Sequence, residues 1–497
     1  MKLSNSILCG ALAALMAVPA TASAADEPTF MRSSIYTILV NSDKQNERLE
    51  NEAKEVDSKG YQQMIEKYGD SRLLSSVPAT TFPHIGIPVQ FNDHNLGLRI
   101  VNYDLLKESV TPDEAKAARP KGGGAGKAFK SFGGAMLGGG AGKNESSILR
   151  VEEVDEYMHA VMQRYFRENH VADSLVAKWF NYNPAETAQF NDYLIQDRGL
   201  QNASAADIAK ASADDNAKIM LAGQGYELIN NTYVVAVNLR FRNNKAVVKE
   251  AGEAAGTVGA VADQFGGGGW GKLIGGAAKL GTKLASGKMK DSYSVTAMTH
   301  LYKLQWNDSI RDLLGDNVLY KEGATMDDLL RLGVCSLDYV GQCKASSGVK
   351  NNDNKSLDEL AGVATVRAID KAIAKLQVEN EVFRTKVPVS KCEDGFVYAK
   401  IGSKEGLNPD DEYEILEMSE DEAGRIKYKS VGSAKVVKDH IWFNTAGADD
   451  IIALADDKEA AKMKAAQELG YTKLKANKKN DFSGYYLRLK KKKGKIE

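Results

Sequence analysis

Alternating apolar and polar residues predict β-strands in the first two thirds of the chain. Residues 34–41, SIYTILVN, are largely β-branched or aromatic, which is typical of a buried strand. Residues 96–103 predict a half-buried strand, with Leu96, Leu98 and Ile100 on one face. The runs 231–242 and 292–306 alternate in the same way. Their regular pattern would let these two strands pair directly, despite the long segment between them.

Apolar residues at steps of three and four predict amphipathic helices. The clearest spans residues 149–166, and its single apolar stripe consists of Val151, Val154, Met158, Val161 and Tyr165. A looser pattern covers the charged stretch 43–68. Another helix is predicted over 205–228, where Ser204 and Asp207 approximate a capping box. A long helix over 357–383 has apolar residues along one face and polar residues on the opposite face.

The pattern of apolar residues and turns changes in the last quarter of the chain. Residues 386–418 form short alternating runs separated by glycine and Pro-Asp turns, and residues 435–438 add another strand. A small β-barrel or open β-module is therefore expected. The pattern becomes helical over 449–469 and then strongly basic. We expect this end, with Lys490 and Lys491, to be exposed, either as a solvated tail or as a contact for anionic lipid headgroups, lipopolysaccharide or an acidic partner.

Two resemblances add to this pattern. The turn AKIGSKEGL at 399–407, followed by Asp410 and Asp411, resembles the glycine turn of SH3-like β-modules in periplasmic assembly proteins, such as those of the flagellar and curli machinery. This resemblance covers residues 386–445. The chain also looks like secreted proteins of unknown function from Bacteroidetes, through NTYV at 231–234 and YKLQWN at 302–307. The second resemblance implies an envelope setting and no particular activity.

The predicted fold class is α+β. A mixed α/β body over 25–384 carries two glycine-rich inserts, at 117–147 and 243–291. A small SH3-like β-module follows over 385–445, and a helix with a basic tail occupies 446–497.

The amino terminus has the features of a secretory signal peptide. Lys2 supplies a positive charge, residues 7–18 are apolar, and Ala22, Ser23 and Ala24 form a small-residue cleavage site. No later segment has the 18 or more uncharged apolar residues of a spanning helix. We therefore expect residues 1–24 to be removed and the protein to reside in the periplasm, the outer membrane or at the cell surface.

Charge and motif spacing exclude several ligand classes. The 65 lysines and arginines nearly balance the 66 aspartates and glutamates, so no overall field would attract nucleic acid. Residues 264–287, QFGGGGWGKLIGGAAKLGTKLASG, match the glycine and lysine spacing of a phosphate-binding loop. Leu273, however, stands where the magnesium-binding hydroxyl belongs. We therefore expect no nucleotide and no cofactor.

The same segment is amphipathic with a cationic side. On a helix, Leu273, Ala277, Leu280 and Leu284 would share one face, and three lysines would share another. Two interpretations stay open, namely a hairpin lying on a membrane and a mobile glycine loop that a partner orders. The candidate contact residues are Trp270, Lys272, Leu273, Leu280, Lys283 and Leu284.

Three cysteines follow the predicted signal segment. Cys335 and Cys343 are close enough in sequence to close a disulfide loop in an oxidising compartment. The alternative is that all three, including Cys392, are buried and unpaired.

Catalytic and metal-binding motifs were not found. The six histidines are scattered, there is no zinc-protease motif or nucleophile elbow, and His159 is expected to pack within its helix. The acidic residues Asp353, Asp410, Asp411 and Glu412 are interpreted as solvated loop charges.

The sequence favours a non-enzymatic envelope accessory or assembly protein that contacts an envelope protein or a membrane. The alternatives are a secreted hydrolase with a site assembled from distant residues, and an outer-membrane secretion or pore component.

Overall fold

The computed structural model describes two packed units of helix and strand. The described residues are 33–47, 82, 86–88, 90–97, 99–118, 152–180, 190, 195, 225–243, 292–350, 357–420, 426–453, 455–493 and 496. The predicted signal segment and almost all of both glycine-rich inserts lie outside these ranges. Helices and strands combine into an α+β fold, so the predicted fold class is confirmed.

The body is built on a mixed sheet. Its described strands are β1 Ser34–Asn41, β2 Asn92–Asp93, β3 Ile100–Asn102, β4 Thr232–Asn243, β5 Ser292–Leu304 and β6 Leu337–Lys350. Their order is β2-β1-β4-β5-β6, and β3 also pairs with β1. β1 is parallel to β4, whereas β4, β5 and β6 are successive antiparallel neighbours. The strands predicted at 34–41, 231–242 and 292–306 are therefore confirmed, as is the direct pairing of the last two.

Both faces of this sheet are buried. In β4, Val235, Val237 and Leu239 join the apolar cluster on one face, and Val234 and Ala236 join the cluster on the other. Successive side chains of a strand point to opposite faces. A strand that is covered on both sides therefore has a nearly continuous apolar sequence, as β4 does.

Helices cover the two faces. One face packs against α1 Tyr103–Glu108, α2 Pro112–Ala117, α3 Glu152–Glu168, α4 Val171–Trp179, α5 Asp308–Leu314 and α6 Met326–Leu332. The opposite face packs against α7, Leu357–Glu379. The predicted helix near 149–166 is confirmed as α3, with Met158 and Val161 fully buried. The helix predicted over 357–383 is confirmed as α7. Of the helices predicted over 43–68 and 205–228, only residues 43–47 and 225–228 are described, and these are helical.

The strand predicted over 96–103 is shorter than expected and faces the other way. Only Ile100–Asn102 is extended; Val101 is 2% exposed, whereas Ile100 is 43% exposed. The side chain of Asn102 accepts a hydrogen bond from the backbone N–H of Leu105 and so caps α1. This cap ends the strand, because an N-cap residue commits the following backbone to the helix.

Helix α7 also protects the edge of the sheet. Three of its basic side chains donate to carbonyls of the edge strand β6: Arg367 to Gly348 (3.5 Å), Lys371 to Ser346 (3.3 Å) and Lys375 to Lys344 (3.3 Å). Four helical residues advance about 6 Å and two strand residues about 6.6 Å, so the two rows stay aligned. The polar side of α7 thus occupies edge carbonyls that would otherwise be open to another chain.

The carboxy-terminal unit is a curled antiparallel sheet. Its described strands are β7 Val387–Pro388, β8 Lys391–Glu393, β9 Phe396–Ala399, β10 Glu412–Glu420, β11 Ile426–Val436, β12 Thr472–Ala476 and β13 Tyr486–Lys491. They are ordered β7-β13-β10-β11-β12-β9-β8. Helices α8 Ala448–Ile452 and α9 Asp457–Gln467 lie between β11 and β12 in the chain.

This sheet continues past the module boundary predicted at residue 445. Strands β12 and β13 come from the segment predicted as a helix and a basic tail, and β13 pairs with the central strand β10. Leu487 is fully buried in the core of the sheet, although lysines dominate the surrounding sequence. The predicted boundary therefore lies within one sheet, and the predicted tail is largely a core strand.

Candidate functional site

The glycine-rich segment 244–291 joins two strands that pair along their whole length. β4 and β5 run in continuous register from Tyr233 opposite Lys303 to Asn243 opposite Tyr293. Opposite residues of antiparallel strands lie about 5 Å apart, so the segment leaves and re-enters the sheet at neighbouring points. The hairpin is therefore closed without the segment, which is an addition to one end of the sheet.

The core is complete just inside this end. Phe241 and Val295 lie next to the departure points, and both are buried in the cluster beneath α7. Ser292 is opposite Lys350 of β6, so the connection 351–356 leaves from the same end. The strands thus leave the sheet next to residues that are buried in the core.

The predicted contact residues fall into two groups. Trp270, Lys272, Leu273, Leu280, Lys283 and Leu284 belong to the segment 244–291 and lie outside the described residues. Lys490 and Lys491 lie on β13, and both are exposed, as predicted. The Lys490 ammonium lies 2.9 Å from a carboxylate oxygen of Glu412, so this charge is already paired.

The interpretation of Asp411 as a solvated loop charge is wrong. Its carboxylate is fully buried and accepts hydrogen bonds from the backbone N–H groups of Asn408 (2.7 Å) and Lys493 (2.8 Å). The ammonium of Lys492 completes this site, and burial lowers the pKa of that ammonium. Asp411 therefore fixes the chain after β13 to the start of β10. Glu412 also belongs to a strand and not to a loop.

A second buried cluster joins α7 to the carboxy-terminal sheet. The guanidinium of Arg367 donates to the carbonyls of Ala446 (2.5 Å) and Gly447 (2.7 Å). One turn on, the Asp370 carboxylate is 7% exposed and lies 3.7 Å from the Lys404 ammonium. Burial, opposed by Lys404 and assisted by nearby Glu405, raises the pKa of Asp370 to about 7. Sequence reasoning missed this cluster, although the polar face of α7 was its one visible signal.

The space beside this cluster is small. A cavity of about 30 Å³ lies between α7 and the sheet, and its polar lining is Gln377, Thr385, Glu405, Tyr413 and Lys492. Oε1 of Glu405 is buried with no hydrogen-bond partner among the described groups, while Oε2 accepts from Gly402 (2.6 Å) and Asn444 (2.9 Å). Such a volume holds a water molecule or two, and it has no room for a sugar or peptide substrate. Glu405 therefore joins this junction through its hydrogen bonds to Gly402 and Asn444.

Buried histidines gather on the other side of the body sheet. His159 of α3 packs edge-to-face against His300 of β5, with ring centroids 5.4 Å apart, and its Nδ1 lies 3.4 Å from the Tyr302 hydroxyl. Burial lowers the pKa of His159 to about 4 and keeps that of His300 well below its usual value. Both rings are therefore neutral at physiological pH. His159 is a packed helix residue, as predicted.

Cys335 and Cys343 do not form a disulfide, so of the two alternatives the unpaired cysteines are present, although only Cys343 is fully buried. The three cysteines within the described residues are free. Cys343 lies in the cluster beneath α7 and donates to the carbonyl of Ala372 (3.0 Å), whereas Cys335 packs against the cluster on the opposite face. The sheet separates the two thiols. Burial raises the pKa of Cys343 to about 12, so its thiol is unreactive.

The described part of the chain contains neither a metal-binding cluster nor a membrane-spanning helix. No group of three or more histidine, cysteine or acidic side chains there is arranged to hold a metal ion. None of the described helices combines the length and apolar character needed to cross a membrane.

Comparison with known proteins assigns no family. No protein-family model matches the chain, and a search of curated proteins gave no significant match. The resemblances of residues 386–445 to SH3-like modules, and of the chain to envelope proteins, therefore stay predictions.

Proposed function

We propose that this protein is an exported, non-enzymatic accessory or assembly protein of the cell envelope, attached to a membrane surface through residues 246–290. The observation that carries the proposal is the continuous β4–β5 register at the base of this segment. Because β4 and β5 pair directly, the pairing of these strands does not require the segment. The predicted signal peptide supports an envelope location.

The composition of the segment suits attachment from one side of a bilayer. Full burial of Trp270, Leu273, Leu280 or Leu284 would contribute about 1.5–3 kcal/mol each. Each lysine near anionic headgroups would add about 1 kcal/mol. Together these terms suffice for peripheral binding. A segment that binds the surface of a bilayer in this way needs neither the long apolar run of a spanning helix nor a substrate pocket.

The test is a deletion that preserves the hairpin. Residues 246–290 are replaced by Asn-Gly, which favours the tight turn that joins antiparallel strands. Because a shorter loop costs less entropy to close, the variant should fold and melt at or above the temperature of the full chain. When cells are fractionated with salt and detergent washes, the variant should no longer be found in the membrane fraction.

A charge variant separates attachment from folding. Replacement of Lys272, Lys279 and Lys283 by glutamine should shift the protein to the salt-washed fraction, whereas Lys458→Gln with Lys462→Gln on the exposed side of α9 should not. The proposal fails if the deletion variant unfolds, since the segment would then belong to the core. It also fails if the folded variant fractionates like the full chain.

A further inference from the structure

The outer face of the carboxy-terminal sheet has two halves, which differ in whether their charged side chains form ion pairs. On β10 and β13 the charges are paired: Arg488 lies 2.6 Å from Glu414, and Lys490 lies 2.9 Å from Glu412. On β9, β11 and β12 the outward positions are occupied by lysines and aromatic rings. We refer to this second half as the lysine–aromatic face; its members are Phe396, Tyr398, Lys435, Lys473 and Lys475.

Strand register brings these side chains together. Lys475 lies opposite Phe396 on one side and opposite Lys435 on the other, and Lys473 lies opposite Tyr398. Neighbouring strands are about 4.8 Å apart and alternate residues about 6.6 Å, so the three lysines lie within roughly 10 Å of one another. Lys435 also lies opposite Glu412 of β10, and Glu393 of β8 is close enough to Lys473 to interact with it electrostatically. Within the described residues, none of the three lysines is within ion-pair distance of a carboxylate. On the adjacent strand β8, Lys391 is paired with Glu393 at 2.5 Å.

Aromatic rings hold Lys473 in place. The Lys473 ammonium lies 4.0 Å from the ring centroid of Phe396 and 5.8 Å from that of Tyr398. Tyr471 packs edge-to-face against Tyr398, with centroids 5.2 Å apart. A cation over a ring face is attracted by the ring quadrupole, so the charge is positioned without being neutralised.

This arrangement costs stability in the free protein. Lys435 and Lys475 are like charges directly opposite each other on antiparallel strands, which is destabilising. The β10–β13 half of the same sheet avoids that cost by alternating charge signs. The lysines outnumber the acidic residues beside them, Glu393 and Glu412, and a rigid sheet face that keeps a net positive charge is complementary to a polymer that carries repeated negative charges.

We propose that the lysine–aromatic face binds an acidic polysaccharide. The ammonium groups of Lys435, Lys473 and Lys475 would meet carboxylate, sulfate or phosphate substituents. The rings of Phe396 and Tyr398 would hold Lys473 in position, and the exposed ring of Tyr471 would pack on a sugar ring. This inference does not depend on the attachment through residues 246–290.

Two other polyanions fit the face less well. A bilayer calls for projecting apolar side chains, but Phe396 and Tyr398 are half-buried beneath the lysine, and only Tyr471, at 39%, is an exposed aromatic residue beside them. A nucleic acid backbone is met best by arginine, whose planar fork matches phosphate, and the face contains none.

The experiment titrates the full mature chain with polygalacturonate, heparin and uncharged dextran by calorimetry at two salt concentrations. Lys473→Gln combined with Lys475→Gln should weaken binding to both acidic glycans at least about tenfold and reduce its salt dependence. Phe396→Leu, which keeps apolar volume and removes the flat ring, should weaken binding while leaving the salt dependence unchanged. The charge-matched control, Lys458→Gln with Lys462→Gln, should stay within about twofold of the parent protein.

Stability separates a binding role from a structural one. Lys475→Gln removes the opposition to Lys435, so its melting temperature should equal or exceed that of the parent protein while its glycan affinity falls. The proposal is overturned if neither acidic glycan binds better than dextran, or if the control pair loses as much affinity as the Lys473 and Lys475 pair. It is also overturned if phosphatidylglycerol vesicles or a single-stranded oligonucleotide bind the face more tightly at the same salt concentration.

Discussion

Replacement of Asp370 by asparagine should make the protein more stable above pH 7 and leave it nearly unchanged at pH 4. Asp370 is buried at the junction between α7 and the carboxy-terminal sheet, 3.7 Å from the Lys404 ammonium. Burial, with a smaller contribution from Glu405, raises the pKa of this carboxyl to about 7 in the folded protein. Asparagine resembles the protonated acid in shape but does not ionise.

The sign of this pH dependence follows from the number of protons that the folded and the unfolded protein bind. An unfolded aspartate has a pKa of about 3.9, so between about pH 4 and pH 7 the folded protein keeps a proton that the unfolded chain releases. The free energy of unfolding then falls by about 1.4 kcal/mol per pH unit across this window and is constant above it. Over three pH units the free energy of unfolding therefore falls by about 4 kcal/mol, and the whole loss is present above pH 7. Asp370→Asn should not incur this loss.

The assay is urea unfolding of both proteins at pH 4, 5, 6, 7 and 8. Other groups titrate in the same range, so the quantity of interest is the difference between variant and parent, which should rise in favour of the variant by about 4 kcal/mol. Asp439→Asn, at an exposed loop position, is the control and should give a constant difference. Parallel curves for Asp370→Asn and its parent would show that the carboxyl ionises as easily in the folded state as in the unfolded one.

Three further predictions concern the core, the carboxy-terminal anchor and processing. Val161→Asp should destabilise the protein by several kcal/mol because it places a charge in the core, whereas Gln163→Asp, exposed on the same helix, should change stability by about 0.5 kcal/mol or less; equal melting temperatures would refute the burial of this face. Lys492→Met should cost about 3 kcal/mol because it leaves a buried carboxylate without its cation, while Lys490→Met, at an exposed pair, should leave the melting temperature nearly unchanged; similar losses would contradict this ranking. Mass spectrometry of the exported protein should find Ala25 as the first residue, and an intact amino terminus on exported protein would exclude the predicted cleavage.

The elements predicted correctly are those whose signal is local. β4 and β5 have long β-branched and aromatic runs, and α3 has an uninterrupted apolar stripe. Their partners could also be inferred, because two strands with regular alternation on either side of an insert have an obvious way to pair. Periodicity reports which face of an element is buried, and here the burial was strong enough to leave a clear pattern.

The features missed depend on residues far apart in the chain. Asp411 is buried because Lys492 reaches it from the far end of the chain, and nothing near Asp411 indicates this. The polar face of α7 is covered because Arg367 and Asp370 meet loops of the following sheet. The lysine run 490–493 closely follows the buried residues Tyr486 and Leu487, so its basic character dominates the pattern and predicts a tail in place of β13. Sequence periodicity cannot distinguish a polar face in water from a polar face satisfied by a distant partner.

The central claim, that residues 246–290 attach the protein to a membrane, is tested most directly by the fluorescence of Trp270. Trp270 lies within the segment, and the three other tryptophans of the chain are the buried Trp179 and Trp306 and the half-buried Trp442. The emission spectrum is recorded while phosphatidylglycerol vesicles are added to the parent protein and to Trp270→Phe. The account predicts a blue shift in the parent protein that is absent from Trp270→Phe, although both proteins sediment with the vesicles. A shift of the same size in both proteins, or no shift in a parent protein that sediments with the vesicles, would contradict it.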